Sequence, residues 1–305
     1  MADIRFTVFT PTYNRAHTLP RAFESLKRQT FRDFEWLIVD DGSTDNTREL
    51  IEVWQKDSSF PIRYFWQENA HKKTAFNLGV KEARGELFLP LDSDDEALPD
   101  ALKILDQHWN NIPESERGKF SSVTGLCVDE RGGVVGSRFP KDIFDSNALA
   151  VFYRYKVHGE KWGFQRTDVL RRFPFPQDVH GHVPEGVVWF AIAAHFKARF
   201  INDALRVYYA EPDSISQSGS SASGPGKYAD GHALWASEVL NNEWRWFFYY
   251  PTWFLKMAAN YTRFHLHLQK GQIDKHWPLR GIVPHLLVFF MWPVGVLRYV
   301  ADRLR

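Results

Sequence analysis

The first hundred residues alternate between short apolar, β-branched runs and longer stretches whose apolar positions recur at helical spacing. Phe6 to Thr10, closed by Pro11, predicts a first strand. Leu19, Phe23 and Leu26 predict a helix over residues 16–29. Glu35 to Val39 predicts a second strand, and Thr44 or Asp45 is placed to cap a helix running to Trp54. A third strand is expected over Ile62 to Trp66, a helix over Thr74 to Ala83 closed by Gly85, and a fourth strand over Glu86 to Leu91. This rhythm predicts an α/β fold built on a mostly parallel sheet, with helices on both faces.

Further on, Ser121 to Cys127 and Val134 to Phe139 predict two strands about a turn at Gly132-Gly133. A helix is expected from Thr167, another from Val187 to Lys197, and a strand over Phe200 to Tyr209. Ser214 to Gly226 is rich in serine and glycine and reads as a lid or a linker. From Tyr228 the pattern is helical and aromatic, crowded between Trp244 and Phe254. The apolar run over residues 281–297 is interrupted by Pro284, His285, Pro293 and Gly295. It therefore predicts an interfacial or re-entrant helix, or one docked on the catalytic domain or at a dimer seam, in preference to a span. The expected organisation is a catalytic domain over residues 1–215 and a helical extension over 216–305.

Composition narrows the class. A net charge of +1 over 305 residues gives no reason to expect nucleic acid as a partner. The single cysteine, Cys127, excludes an intrachain disulfide and fits a reducing compartment, and the chain enters its first strand with no signal-peptide pattern. Neither a dinucleotide-binding glycine fingerprint nor a P-loop follows the early strands.

The chemistry concentrates at Asp92-Ser93-Asp94-Asp95, directly after the fourth predicted strand. Carboxylates this close repel one another, and burial sharpens the repulsion. A divalent cation carrying phosphate oxygens, Mg²⁺ or Mn²⁺, would neutralise them. The competing role is a cap, by Asp94 or Asp95, for a helix over residues 97–108. In a parallel sheet Thr12-Tyr13, Asp40-Asp41 and Asp92 to Asp94 leave at the same edge. There Tyr13 can stack on a flat ring, Asp41 can accept a hydrogen from a ring N–H, and Arg15, Lys72 and Lys73 can face phosphate.

In order along residues 4–100, Thr10-Pro11-Thr12-Tyr13-Asn14-Arg15, Gln29 to Glu35, Val39-Asp40-Asp41-Gly42-Ser43-Thr44-Asp45, Asn77-Leu78-Gly79, Ala83-Arg84-Gly85-Glu86 and Leu91 to Asp95 resemble family 2 of the glycosyltransferases. The resemblance implies the GT-A fold, a Rossmann-like mostly parallel sheet flanked by helices, here with a C-terminal aromatic-rich helical extension. It implies an inverting enzyme that moves a sugar from a nucleotide-diphosphate donor, a UDP-sugar above all, to a saccharide or lipid-linked acceptor in cell-surface polysaccharide synthesis. Thr12, Tyr13, Arg15, Asp41, Lys72, Asp92 and Ser93 would then hold the donor, and Asp94 the Mn²⁺ or Mg²⁺. Glu185 would be the general base. Relatives carry an acidic pair at that place, whereas Gly186 follows Glu185 here, and Asp178, His180 and His182 are its rivals. In some relatives a histidine in the position of His232 adds a metal ligand. The implied location is cytoplasmic, at the inner face of the cell membrane. A nucleotidyltransferase and an inactive carbohydrate- or membrane-binding protein are the rival readings.

Overall fold

A computed structural model of the chain describes residues 4–210, 226–268 and 277–304. Two compact units are formed, Met1–Phe175 with Phe190–Tyr209, and Pro176–Trp189 with Ala210–Arg305.

The first unit carries β1 (Phe6–Thr12), α1 (Leu19–Lys27), β2 (Phe34–Asp40), α2 (Thr47–Asp57), β3 (Ile62–Trp66), α3 (Lys72–Glu82) and β4 (Leu87–Pro90). After them come β5 (Glu96–Ala97), α4 (Ala101–Asn110), α5 (Glu114–Arg117), β6 (Phe120–Val128), β7 (Ile143–Ser146), α6 (Ala148–Tyr153), β8 (Lys161–Arg166) and α7 (Thr167–Arg172). α8 (Gly186–Ala193) runs from the second unit back into the first, which ends with β9 (Lys197–Val207).

Among the described residues the strands form one nine-stranded sheet in the order β3-β2-β1-β4-β8-β6-β9-β5, with β7 also on β9. The half written by the strand–helix rhythm, β3-β2-β1-β4, is parallel throughout. Past β4 the sheet becomes mixed: β8 lies antiparallel to both β4 and β6, while β6 and β9 run parallel. Strand alternation feeds two cores. On one face Phe6, Val8, Trp36 and Ile38 meet Phe23 of α1 and Trp54 of α2, whose rings stack at 4.3 Å. On the other, the ring of Phe9 lies against Phe76 of α3 and Phe88 of β4.

Two expected boundaries move. Residues 134–139 do not form a strand. Val134 makes only an isolated bridge to Val128, and β9 takes β7 as its neighbour instead. α8 stops at Ala193, because the backbone is already extended at Lys197 to pair with β6.

The second unit contains α9 (Ala229–Asn242), a 3₁₀ turn over Trp244–Trp246, α10 (Pro251–His267) and α11 (Ile282–Arg303). α11 is continuous through the residues that interrupt its apolar run. Pro284 stands in its first turn, where no intrahelical N–H is needed. Pro293 is carried inside a helix braced by α10, where Asp302 accepts from Arg263 Nη2 at 2.6 Å and Arg298 donates to Asn260 at 3.2 Å. The serine- and glycine-rich stretch over 214–225 lies outside the described residues.

Candidate active site

Parallel pairing brings the predicted residues of the first unit together. β1, β2 and β4 run the same way, so Thr12, Asp41 and Asp92 leave the sheet at one edge. The N–H of Asp41 donates to the Thr12 carbonyl at 2.8 Å and roots the first two loops in each other. Asn14, at φ 53, fastens them further. Its N–H donates to Ser43 Oγ at 2.8 Å, and its Oδ1 accepts from the Thr44 N–H at 2.7 Å. Asparagine is one of the few residues that tolerate this left-handed conformation. Gly42, at φ +89, makes the turn beside the Asn69 backbone. Tyr13 is left half exposed on this frame, and an aromatic ring offers a face on which a flat ring can stack.

The neighbouring carboxylates Asp40 and Asp41 have separate jobs. Asp40 is used by the fold: it accepts from the Ser43 N–H and from the Tyr64 hydroxyl, both at 2.8 Å. Burial, then the contact with Asp40, holds the Tyr64 hydroxyl above its ordinary pKa. Asp41 is also buried, and its Oδ1 accepts from Gln67 Nε2 at 2.6 Å and from the Ala70 N–H at 2.9 Å. It thereby shapes the segment that leads into α3. Thr12 Oγ1, at the same edge, is buried with no hydrogen-bond partner among the described residues. An unmet polar atom at a strand end is a place for a ligand to bind.

The acidic stretch turns tightly, with the Asp95 N–H donating to the Asp92 carbonyl at 3.2 Å. Its three carboxylates meet three environments. Asp92 is 2.9 Å from Lys72 Nζ and 3.9 Å from Arg206 Nη1. Burial works against its charge, but Lys72 and Arg206 outweigh it and hold the carboxyl below the usual range. Asp95 is buried 3.0 Å from Arg206 and accepts from the Tyr209 N–H at 3.1 Å. Burial, with repulsion from Asp92 and Asp94, overcomes the pull of Arg206 and pushes it up to about 7. Asp94 makes no ion pair among the described residues. Burial and the charge of Asp92 hold its carboxyl above the usual range, against Arg15 and Lys72. Ser93 is buried between them.

The helix-cap role for Asp94 or Asp95 is therefore excluded. α4 begins only at Ala101, and Asp95 is committed to Arg206 and Tyr209. Lys73, expected beside Lys72 as a second phosphate-facing cation, is buried. Successive residues of a helix point in different directions, so only Lys72 reaches Asp92.

Arg206 was not anticipated. It sits inside β9 almost without solvent contact, and it reaches Asp92, Asp95 and, at 3.3 Å, Glu160. The sequence carried no signal that singles it out, because β9 also holds the charged residues Lys197, Arg199 and Asp203. Cys127, on β6 beside it, is buried, which pushes its thiol up to about 11 and leaves it unreactive at neutral pH.

The remaining candidates stand in the second unit. Glu185 is exposed at the start of α8, and its Oε2 accepts from Trp189 Nε1 at 3.3 Å. Gly186 fills the place of a second acid because the Trp235 ring lies where a Cβ would be. Asp178 and His180 are exposed, and the His180 N–H donates to Asp230 at 2.8 Å. The His232 ring stacks on Phe264 at 4.7 Å, and the His182 ring lies 6.5 Å from it between centroids. Burial, then His182 and Arg263, lowers its pKa to about 4 and keeps it neutral. No group of three or more metal-ligating side chains occurs among the described residues.

The family model described as "Glycosyl transferase family 2" matches residues 7–115. Glycosyltransferase GlyG of Streptococcus pneumoniae serotype 4 is 31% identical over 68% of this chain and 72% of its own length. A GalNAc(5)-diNAcBac-PP-undecaprenol beta-1,3-glucosyltransferase of Campylobacter jejuni is 29% identical over 67% of this chain and 64% of its own. A Rickettsia felis glycosyltransferase is 43% identical over 44% of this chain but only 21% of its own length. Among solved structures, S. aureus TarS 1-349 in complex with UDP-GlcNAc superposes with a TM-score of 0.62 at 20% identity, covering 98% of this chain and 81% of that one. The likeness establishes a shared GT-A fold.

Proposed function

The chain belongs to glycosyltransferase family 2, and on that premise we propose that it is an inverting transferase. It moves a sugar from a nucleotide-diphosphate donor, a UDP-sugar first, to a hydroxyl of a saccharide or lipid-linked saccharide in cell-surface glycan synthesis. The observation that carries this reading is the meeting, at one sheet edge, of a Thr12 Oγ1 with no hydrogen-bond partner and an Asp94 carboxylate with no ion pair among the described residues, a half-exposed Tyr13 and the Lys72–Asp92 pair. The relatives' names support the substrate class: one acts on a diphosphate-linked undecaprenol glycan, and the TarS structure holds UDP-GlcNAc.

In this reading Tyr13 stacks on the base, Asp41 accepts from its ring N–H, and Thr12, Arg15, Lys72, Asp92 and Ser93 hold the ribose and diphosphate. The donor set fits Mg²⁺ or Mn²⁺. Asp94 with Asp92 offers hard oxygen ligands short of a full cage, as suits an ion that also takes phosphate oxygens and water. When bound, such an ion neutralises the charge of the leaving diphosphate. Glu185 takes the acceptor hydroxyl proton as that oxygen bonds to the anomeric carbon. The bond from that carbon to the diphosphate oxygen breaks, the nucleoside diphosphate leaves, and the configuration inverts. A lipid-linked acceptor places the work at the inner face of the cell membrane, where nucleotide-sugars are present.

The test is a transfer screen of the full chain with Mn²⁺, several UDP-, GDP- and dTDP-sugars, and saccharide and prenyl-linked acceptors. The expected outcome is nucleoside diphosphate release, with a product of inverted anomeric configuration. Release of pyrophosphate would mark a nucleotidyltransferase, and no turnover with any pair would overturn the assignment.

A further inference from the structure

α11 divides its side chains sharply between two surroundings. Its polar and small positions face α10. Gly295 packs so close to the Ala259 carbonyl and Thr262 that no Cβ would fit, Arg298 reaches Asn260, and Asp302 accepts from Arg263 and His267. The other side is an apolar stripe at three- and four-residue spacing, formed by Ile282, Leu286, Phe289, Phe290, Leu297 and Val300, with Phe289 73% and Phe290 70% exposed. The helix has 22 residues, and its most apolar 18-residue stretch has a mean hydropathy of 1.5, long and apolar enough by length and composition to cross a membrane. Only 11% of its most apolar stretch is buried.

Charge indicates what covers the stripe. Residues 244–305 carry nine Lys and Arg against two Asp, a net of +7, which leaves −6 for the first 243 residues of a chain whose total is +1. Arg280 and Arg303 are exposed at the two ends of α11, and Lys256 and Arg245 are exposed on α10 and on the turn before it. An anionic surface with an apolar interior matches this pattern. A second copy does not, because pairing two stripes would bring two such cationic margins together.

The companion helix decides the orientation. The contacts advance together along α10 and α11, from Ala259 with Gly295 to His267 with Asp302. A spanning α11 would draw Asn260, Arg263, Arg298 and Asp302 into hydrocarbon. We propose that α11 lies in the plane of an anionic leaflet, its stripe sunk among the acyl chains and its arginines among the headgroups, so that the chain is held at one face without crossing. This deepens the membrane placement proposed above and rests on it only for the choice of the cytoplasmic leaflet. It gives the enzyme a fixed stance toward a lipid-linked acceptor.

The test is flotation of the full chain with vesicles of phosphatidylcholine alone, or with added phosphatidylglycerol, across a salt series. Neither readout needs turnover, so loss of binding and loss of transfer are told apart. Binding is expected only with the anionic lipid. It should weaken with salt and fall about fivefold for each of Arg280→Gln and Arg303→Gln. F289E and L297E alter exposed positions and should abolish flotation with an unchanged circular dichroism spectrum. For orientation, His285→Cys and Arg303→Cys are placed singly in a Cys127→Ser background. An impermeant maleimide added outside the vesicles should label both. Protection of one end would show a span, and overturn the proposal. So would a full chain that stays unbound as a monomer, or one that stays unbound as a dimer that F289E dissociates.

Discussion

Arg206 and Asp95 meet at 3.0 Å inside the protein, with only 5% and 2% of their side chains exposed. Neither borders solvent, yet together they fix the far end of the acidic stretch whose near end, Asp92, faces Lys72. Removing one partner strands the other. Arg206→Met is expected to cost about 3–5 kcal/mol, because a buried carboxylate loses its compensating cation. Adding Asp95→Asn should recover part of that loss. Urea denaturation of the two single variants and the double variant reads the coupling, and additive losses would mean that the pair is not coupled.

Asp94→Ala should leave the fold intact and remove only the metal-dependent part of donor binding. The carboxylate makes no ion pair among the described residues and is held above its ordinary pKa by burial and by Asp92, so it gains from a cation. Calorimetry with UDP, with and without Mn²⁺, should show a metal increment in the parent chain and none in the variant. An equal increment in both would move the metal site elsewhere.

Glu185→Gln should leave UDP affinity near that of the parent and lower kcat by about 10²–10⁴-fold. The amide oxygen can still accept from Trp189 Nε1, so the helix start is kept. A loss below tenfold with chemistry rate-limiting would transfer the role, and Asp178 would be tested next.

Gly186→Asp, which restores the acidic pair, is expected to destabilise the chain and not to improve turnover. The new side chain meets the Trp235 ring, and overpacking of this kind costs about 1–3 kcal/mol. Trp235→Ala in the same background should return most of the lost melting temperature.

Glu243 sets a pH dependence that can be isolated. Burial, then the charge of Glu238, raises its pKa from 4.5 to about 7. Between those values the unfolded chain releases a proton that the folded chain keeps. Its contribution is therefore fully present below about 4.5 and is lost as pH rises to about 7. His232 acts in the opposite sense: its pKa is depressed to about 4, and stability is lost as pH falls from 6.5 toward that value. Glu243→Gln should raise the melting temperature at pH 8 and leave it unchanged at pH 4. A difference that did not vary with pH would mean that the Glu243 carboxyl does not titrate as its burial implies.

The sequence by itself determined the order of the first four strands' elements, their parallel pairing and the edge at which Thr12, Asp41 and Asp92 emerge. These follow from local periodicity and short connections, and both are written in consecutive residues. The motifs up to Asp95 also carried the family. Tertiary structure alone decided what each carboxylate does. Asp40 and Asp41 are adjacent, yet one is taken by Tyr64 and the other by Gln67 and Ala70. Asp95 finds the Tyr209 N–H 114 residues away, just past the end of β9, the strand on which Arg206 arrives. Alternation along β9 can predict which residues share a face, but not which strand will lie beside them. That depends on how β6, β8 and β9 assort in the mixed half of the sheet. Pro293 shows the same limit: its residue type predicts a break, and packing against α10 carries the helix through it.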